Sequence, residues 1–369
     1  MPINPQRLRK LLQKLIDIYS PSGKEEDILD FVKGYLKRRE LPFTIQGVDD
    51  HRYNLIVAPT GQDLRLAFVG HLDTVAAPDL DNYGFKENGD QIKGLGAADM
   101  KGGCAAFLEA YTNLWESGHR DAPLALCLVV GEEETGDGAE QLMKTYHFPW
   151  AIIGEPTHMV PCFQSYGYVE IQISTRGRRL HASLAKRNRN AIEIMLRHML
   201  RLTQALESRY PELTYNIRDL TSNPAGFAVP ERCEAWLDIH IPPAAPIGEI
   251  LTVLEDIVVS ETGMANDVET VFRNITIDAG YGLPEKGPIF DVLRTVFDHH
   301  RLPWHPQAFK SHSDANQIWA AGVKPIILGP GDLDQAHTED ESASFQQICL
   351  AAQVYLDIMM IVTAETPES

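Results

Sequence analysis

The 369-residue chain reads as an α/β domain into which a separate α+β domain is inserted. Three observations predict this. Short apolar strands alternate with amphipathic helices over the first 166 residues, and these strands run repeatedly into histidine or carboxylate side chains. From Gly167 to Ile277 the texture shifts to half-buried strands and helices with no acid at the strand ends. After Ile277 the α/β texture returns. The predicted domain ranges are therefore 1–166, 167–277 and 278–369, the middle one an insertion.

The elements follow in order. Leu8, Leu11, Leu12, Leu15 and Ile16 keep helical spacing, which predicts an amphipathic surface helix rather than a targeting segment. Ser20-Pro21-Ser22-Gly23 is a turn cluster, and a second amphipathic helix spans Glu25 to Lys37. Tyr53 to Ala58 and Leu64 to Val69 read as strands joined by a Pro-Thr-Gly-Gln turn. The second strand runs into Gly70-His71-Leu72-Asp73. Residues spaced by two on extended backbone point the same way, so His71 and Asp73 face one crevice. Open α/β sheets bind ligands at that edge. Taken alone, His-x-Asp reads equally well as a hydrogen-bonded loop pair.

A long polar loop, Ala76 to Lys93, precedes Gly94-Leu95-Gly96-Ala97-Ala98-Asp99-Met100-Lys101-Gly102-Gly103 and a helix from Cys104 to Glu116. Small residues around Asp99 allow close backbone approach, although an aspartate there can also simply cap the helix. The apolar strand Leu124 to Val130 delivers Gly131-Glu132-Glu133-Glu134. Three adjacent carboxylates after a buried strand repel one another unless a cation or protons intervene, or unless they are solvated loop acids. Trp150 to Ile153 ends in Gly154-Glu155.

In the insertion, strands are predicted at 168–174, 233–241 and 268–277, helices at 191–206 and 247–260, and a basic turn from Arg176 to His181. A helix over 289–300, the polar segment Lys310 to Asn316 and a strand over 325–328 follow. That strand leads into Gly329 to Glu341, and a helix over 343–361 closes the chain.

Composition narrows the function. The net charge of −18 argues against nucleic-acid or anionic-membrane partners. No apolar run approaches the roughly 20 residues of a membrane span. Five cysteines, odd in number and scattered, suit reduced thiols in a cytoplasm. His71, Asp99, Glu133, Glu155 and His337 all lie near strand ends or tight loops. Two imidazoles and three carboxylates suit a pair of zinc-like ions, one carboxylate shared between ions about 3.5–4 Å apart.

GHLDTV, GLGAADMKGG, GEEETGDGA, IIGEPT, GRRLHAS, SHSDAN and GPGDLDQAHTEDE follow one another along the chain. In that order they resemble the motifs of the metallohydrolase family that includes acetylornithine deacetylase, succinyl-diaminopimelate desuccinylase, carboxypeptidases and tripeptide aminopeptidases. The resemblance implies a zinc-bearing catalytic domain with a mixed central sheet and an inserted ferredoxin-like lid that also dimerises. It implies His71 as ligand of one metal, Asp73 as the carboxylate orienting it, Asp99 as bridging ligand, Glu155 on the His71 metal and His337 on the other. In the family pattern a Gly and then a small residue follow five residues after the second Glu. Since Gly138-Ala139 fits this from Glu132-Glu133, the resemblance implies Glu132 as general base and Glu133 as ligand, with Glu133-Glu134 as the rival register. His181 resembles the lid histidine that reaches the partner subunit's site and stabilises the oxyanion.

Two zinc ions, replaceable by cobalt, would lower the pKa of a bound water, and Glu132 would move its proton to the leaving amine. The implied substrate is a small N-acyl amino acid of arginine or lysine biosynthesis, with a di- or tripeptide as alternative. A non-catalytic metal-binding protein would lack the base. Two departures bear on the substrate. Phe227-Ala228-Val229-Pro230 stands where the family often has Asn before Val-Val-Pro or Val-Ile-Pro, and Asp238-Ile239-His240 replaces Asp-x-Arg. Gly329-Pro330-Gly331-Asp332 with Gln335-Ala336-His337 looks more like the deacetylase than the desuccinylase.

Overall fold

The computed structural model describes residues 2–77, 79–185, 189–262 and 267–364. Residue 1 and residues 365–369, within the predicted domain ranges, lie outside the described residues, as does Pro78 of the predicted loop. The chain forms two compact units: Met1–Gln164 with Leu283–Phe309 and Ser313–Ser369, and Ser165–Gly282 with Lys310–His312.

The first unit is built on a mixed sheet. From one edge its strands run Thr44–Gly47, Tyr53–Val57, Leu124–Val129, Leu66–His71, Trp150–Ile153, Lys324–Ile327 and Cys162–Ser165. Tyr53–Val57 pairs antiparallel with Leu124–Val129, and Lys324–Ile327 antiparallel with Cys162–Ser165. The four strands between these two junctions are mutually parallel. Their carboxyl ends therefore share one edge, where an open sheet presents its ligand crevice. All six residues of Leu66–His71 and of Leu124–Val129 are buried, as parallel strands covered on both faces require.

Helices Pro5–Asp17, Lys101–Glu116 and Phe345–Ala364 pack together beside this sheet. Phe68, Phe107 and Tyr355 join sheet and helices, with ring centroids 4.5 to 5.9 Å apart. Arg7 places Nε 2.6 Å and Nη2 3.0 Å from the buried carboxylate of Glu109, tying the helix Pro5–Asp17 to Lys101–Glu116. The closing helix corrects one expectation. Phe345–Ala364 is 20 residues with Asp357 its only charge, so by length and composition it could cross a membrane. Ile348, Ala351, Tyr355, Ile358 and Met359 are instead buried against neighbouring helices, the behaviour of a core helix.

The second unit orders its strands Thr214–Ser222, Arg232–Ile241, Gly167–Arg176 and Glu269–Asp278, all antiparallel. Helices Ala191–Arg209 and Ile247–Thr262 are the crossovers, giving the ferredoxin-like order strand–helix–strand–strand–helix–strand. Val169, Ile171, Ile173, Leu237 and Ile239 alternate inward and meet Met195, Leu202 and Leu254. The unit is wider than the predicted range 167–277. The entering and leaving chains run side by side, so close that a Cβ on Gly167 would stand 2.6 Å from the Asp278 oxygen. The strand Thr214–Ser222 is absent from the sequence prediction because only Tyr215 is even half-buried along it, leaving no apolar alternation to read.

Candidate metal-dependent active site

The parallel strands explain where the polar side chains go. His71 is the last residue of its strand rather than a loop residue beyond it. Glu132 and Glu133 follow the strand on one side, and Glu155 follows the strand on the other. Asp99 arrives from the amino-terminal end of the helix Lys101–Glu116, and its peptide to Met100 is cis. His337 follows Lys324–Ile327 on a loop, with φ 59°. Close backbone approach supports this edge. A Cβ on Gly329 would lie 2.2 Å from the Gly154 oxygen and 2.4 Å from that of Glu155.

Asp99 is the centre of the cluster. Its Oδ1 lies 3.3 Å from His71 Nε2 and its Oδ2 3.6 Å from His337 Nε2. His71 Nε2 is also 3.8 Å from Glu132 Oε2 and from Glu155 Oε1. His337 Nε2 is 2.9 Å from Glu133 Oε2. Two overlapping donor sets result, His71–Asp99–Glu155 and Asp99–Glu133–His337, each with its ligand atoms within 4.8 Å of one another. His71, Glu132 and Glu133 form a third such group. Glu134 is exposed.

Asp73 does more than orient an imidazole. The nearest partner of His71 Nδ1 is the Asp73 main-chain oxygen at 3.0 Å, with carboxylate Oδ1 at 3.6 Å. Ring orientation with Nε2 toward Asp99 thus comes mainly from backbone. The Asp73 carboxylate meanwhile accepts the N–H groups of Glu132 at 3.2 Å and Glu133 at 3.1 Å, and the Ser22 hydroxyl at 2.6 Å. It therefore fixes the backbone that aims both glutamates. Ser22 was visible in the sequence only as part of a turn. Its segment is held by Thr74 N donating to the Ser20 oxygen at 3.0 Å and Ser22 N to the Thr74 oxygen at 3.2 Å.

Burial dominates the electrostatics. Glu132 is pushed well above the usual carboxylate range by burial and by the charges of Glu155 and Glu133, against the pull of His71. Burial, then Asp99, does the same to Glu155. Glu133 is raised by burial and by Asp99, His337 opposing. Asp99 is lowered despite its burial, because His71 bonds to it and both histidines attract it. The bond to Glu133 leads in holding His337 protonated up to about 9. Asp314, buried in the SHSDAN segment, is raised to about 8 by burial.

Crowded acids of this kind call for a cation, and the donor set fits one. Glu133 Oε1 and Glu155 Oε1 are buried without a hydrogen-bond partner, although each belongs to a carboxylate facing an imidazole. Mixed imidazole and carboxylate donors suit borderline divalent ions.

His181 lies in the second unit. It is exposed, its two-residue strand Leu180–His181 pairs with Ala228–Val229, and its Nδ1 is 2.8 Å from Ser183 Oγ. His240 belongs to the same unit. Burial lowers its pKa against the attraction of Asp238, and its ring neighbours Tyr168 and His312. Burial thus disfavours the charged form of the histidine that stands where the resemblance implies an arginine.

Fold and site together define a metal-dependent hydrolase. The chain belongs to peptidase family M20/M25/M40, whose profile matches residues 67–361, and it hydrolyses amide bonds. It is 27% identical over 365 residues to a succinyl-diaminopimelate desuccinylase of Corynebacterium glutamicum, covering 93% of this chain and 94% of the relative. Its fold matches a Staphylococcus aureus tripeptidase with TM-score 0.82 at 20% identity, over 99% of this chain and 100% of that one. It also matches a Saccharomyces cerevisiae dipeptidase with TM-score 0.78 at 12% identity, over 99% and 98%.

Proposed function

We propose that the protein removes the acyl group of a small N-acyl amino acid, using two divalent ions, zinc with cobalt as a substitute. The observation that carries this reading is the Asp99 carboxylate, which turns one oxygen to His71 and the other to His337. His71 and Glu155 would hold one ion, Glu133 and His337 the other, and Asp99 both. Bound there, the ions would supply Lewis acidity toward the scissile carbonyl and lower the pKa of water.

The remaining work falls to side chains. Glu132, aimed by the bond from its N–H to Asp73, takes the proton of the attacking water and returns it to the leaving amine. Its burial raises its pKa, which supports a carboxyl that can take up and give back a proton. His181, acting from the lid of a partner subunit, donates to the oxyanion. A homodimer through the inserted unit is supported by its exposed edge strand Thr214–Ser222, and by Leu196 and Leu200, 46% and 69% exposed on one helix. Five free cysteines support a reducing cytoplasm.

The N-acyl reading, and with it a role in arginine or lysine biosynthesis, is favoured by the desuccinylase relative and by the Gly329–Asp332 and Gln335–His337 pattern resembling a deacetylase. The tripeptidase likeness favours a peptidase as the second reading. The test is steady-state kinetics on N-acetyl and N-succinyl amino acids against dipeptides, with Zn²⁺ or Co²⁺ and with excess chelator. Turnover of N-acyl substrates that chelator abolishes and metal restores is expected. Higher kcat/KM on dipeptides establishes the peptidase, and full turnover without metal refutes both.

A further inference from the structure

Glu341 is 4% exposed, and its carboxylate receives three backbone N–H groups from a single loop. Oε2 accepts from Gly96 at 2.8 Å, and Oε1 accepts from Ala98 at 2.9 Å and Asp99 at 3.0 Å. Its main-chain oxygen accepts from Gly94 N at 3.0 Å. Gly96 has φ 80°, and a Cβ there would stand 2.8 Å from the Lys101 side chain and 2.9 Å from that of Thr74. The loop is therefore shaped so that nearby N–H groups converge, a backbone nest for an anion. Here the anion comes from the same chain, and bonds from N–H to a carboxylate are of the stronger kind.

The nest holds the backbone of Asp99, whose side chain reaches both histidines. Glu341 also stands four residues beyond His337, and its N–H donates to the Thr338 oxygen at 3.3 Å. One residue thus grips the loop that carries Asp99 and closes the turn that carries His337. We infer that Glu341 is a positioning residue for the donor set Asp99–Glu133–His337, holding two of its three members in place before an ion arrives. The inference rests on the metal reading given above. Partners of this kind typically change metal affinity by about 10–100-fold when replaced.

The test is competition titration of Zn²⁺ against a chromophoric chelator, on metal-free native protein and on Glu341→Gln, with thermal midpoints recorded for both. The amide keeps the shape but turns an NH₂ group onto a backbone N–H. The ion at Asp99–Glu133–His337 is expected to bind about 10–100-fold more weakly, and the ion at His71–Asp99–Glu155 to change less. Asp340→Asn, an exposed neighbour paired with Lys93, is expected to bind as native. A merely structural role would lower the thermal midpoint of Glu341→Gln and leave both affinities intact, which overturns the inference.

Amide exchange on metal-free native protein keeps the question open to test even if Glu341→Gln does not fold. The N–H groups of Gly96, Ala98 and Asp99 should be protected, and exchange at unstructured rates overturns the inference. Native protein that takes up no ion overturns the metal reading and this inference with it. Equal uptake of two ions by native and variant overturns this inference alone.

Discussion

Four parallel strands of the first unit end at one edge, and three of them leave His71, Glu132, Glu133 and Glu155 there, crowded and buried or half-buried. In the four-stranded sheet of the second unit the strands run antiparallel, and charged side chains lie along them and pair off, as Arg218 does with Glu170 and Asp238. The difference is topological. Parallel strands can deliver several chain segments to one point, so like charges collect and a cation becomes worth binding. Antiparallel strands alternate their ends, and opposite charges neutralise one another across the sheet. Chemistry should therefore depend on the first unit for its ions and on the second for recognition and pairing.

The largest separation expected lies within the acidic triplet. Glu132→Ala should retain its metals yet lose about 10²–10⁴-fold in kcat, the range of general-base catalysis. Glu133→Ala should weaken one ion instead, as read by metal content after dialysis. If Glu133→Ala holds both ions normally and Glu134→Ala loses one, the register is Glu133-Glu134.

A smaller loss, about 10²–10³-fold in kcat with metal content intact, is expected for His181→Ala. Mixing His181→Ala subunits with Glu132→Ala subunits sharpens the contrast between the units. Recovered activity after subunit exchange is the signature of a histidine acting in trans. Exchange without recovery confines His181 to its own chain or to no catalytic role.

The smallest effect is one of stability. Burial, with the charge of Asp73 adding, pushes Glu25 from 4.5 up to about 7, against backbone N–H bonds and Arg52. Because the folded-state pKa is the raised one, the folded protein keeps a proton that the unfolded chain releases between these values. Stability from this group is present below pH 4.5 and is lost as pH rises to about 7. Glu25→Gln should match native protein at pH 4 and exceed it by about 3 kcal/mol at pH 8, measured by urea unfolding. Equal stability of the two proteins at both pH values would remove the buried, protonated Glu25 from the account.

Much of this was legible in sequence because parallel, fully buried strands leave strong apolar runs. Leu66 to Val69, Leu124 to Val129 and Trp150 to Ile153 announce themselves, and the polar residues after them make up the proposed site. What stayed hidden depends on contacts between distant segments. The bonds of Asp73 to two N–H groups, and those of Glu341 to the Gly96–Asp99 loop, leave no periodic trace. The hairpin Lys86–Asn88 with Gln91–Lys93 lay inside a segment read as loop, since only Ile92 in it is buried. Its partner Ser342–Ser344 takes the chain that the sequence assigned to the start of the closing helix.

Central to the account is one carboxylate serving two ions, and metal content by mass spectrometry after exhaustive dialysis against dilute Zn²⁺ tests it most directly. Native protein should carry two ions per chain. Asp99→Ala should lose both, because the two proposed sets, His71–Asp99–Glu155 and Asp99–Glu133–His337, share Asp99, while its thermal midpoint without metal stays near that of native protein. Two ions retained in Asp99→Ala, or a single ion in native protein at full activity, would contradict the shared-carboxylate site.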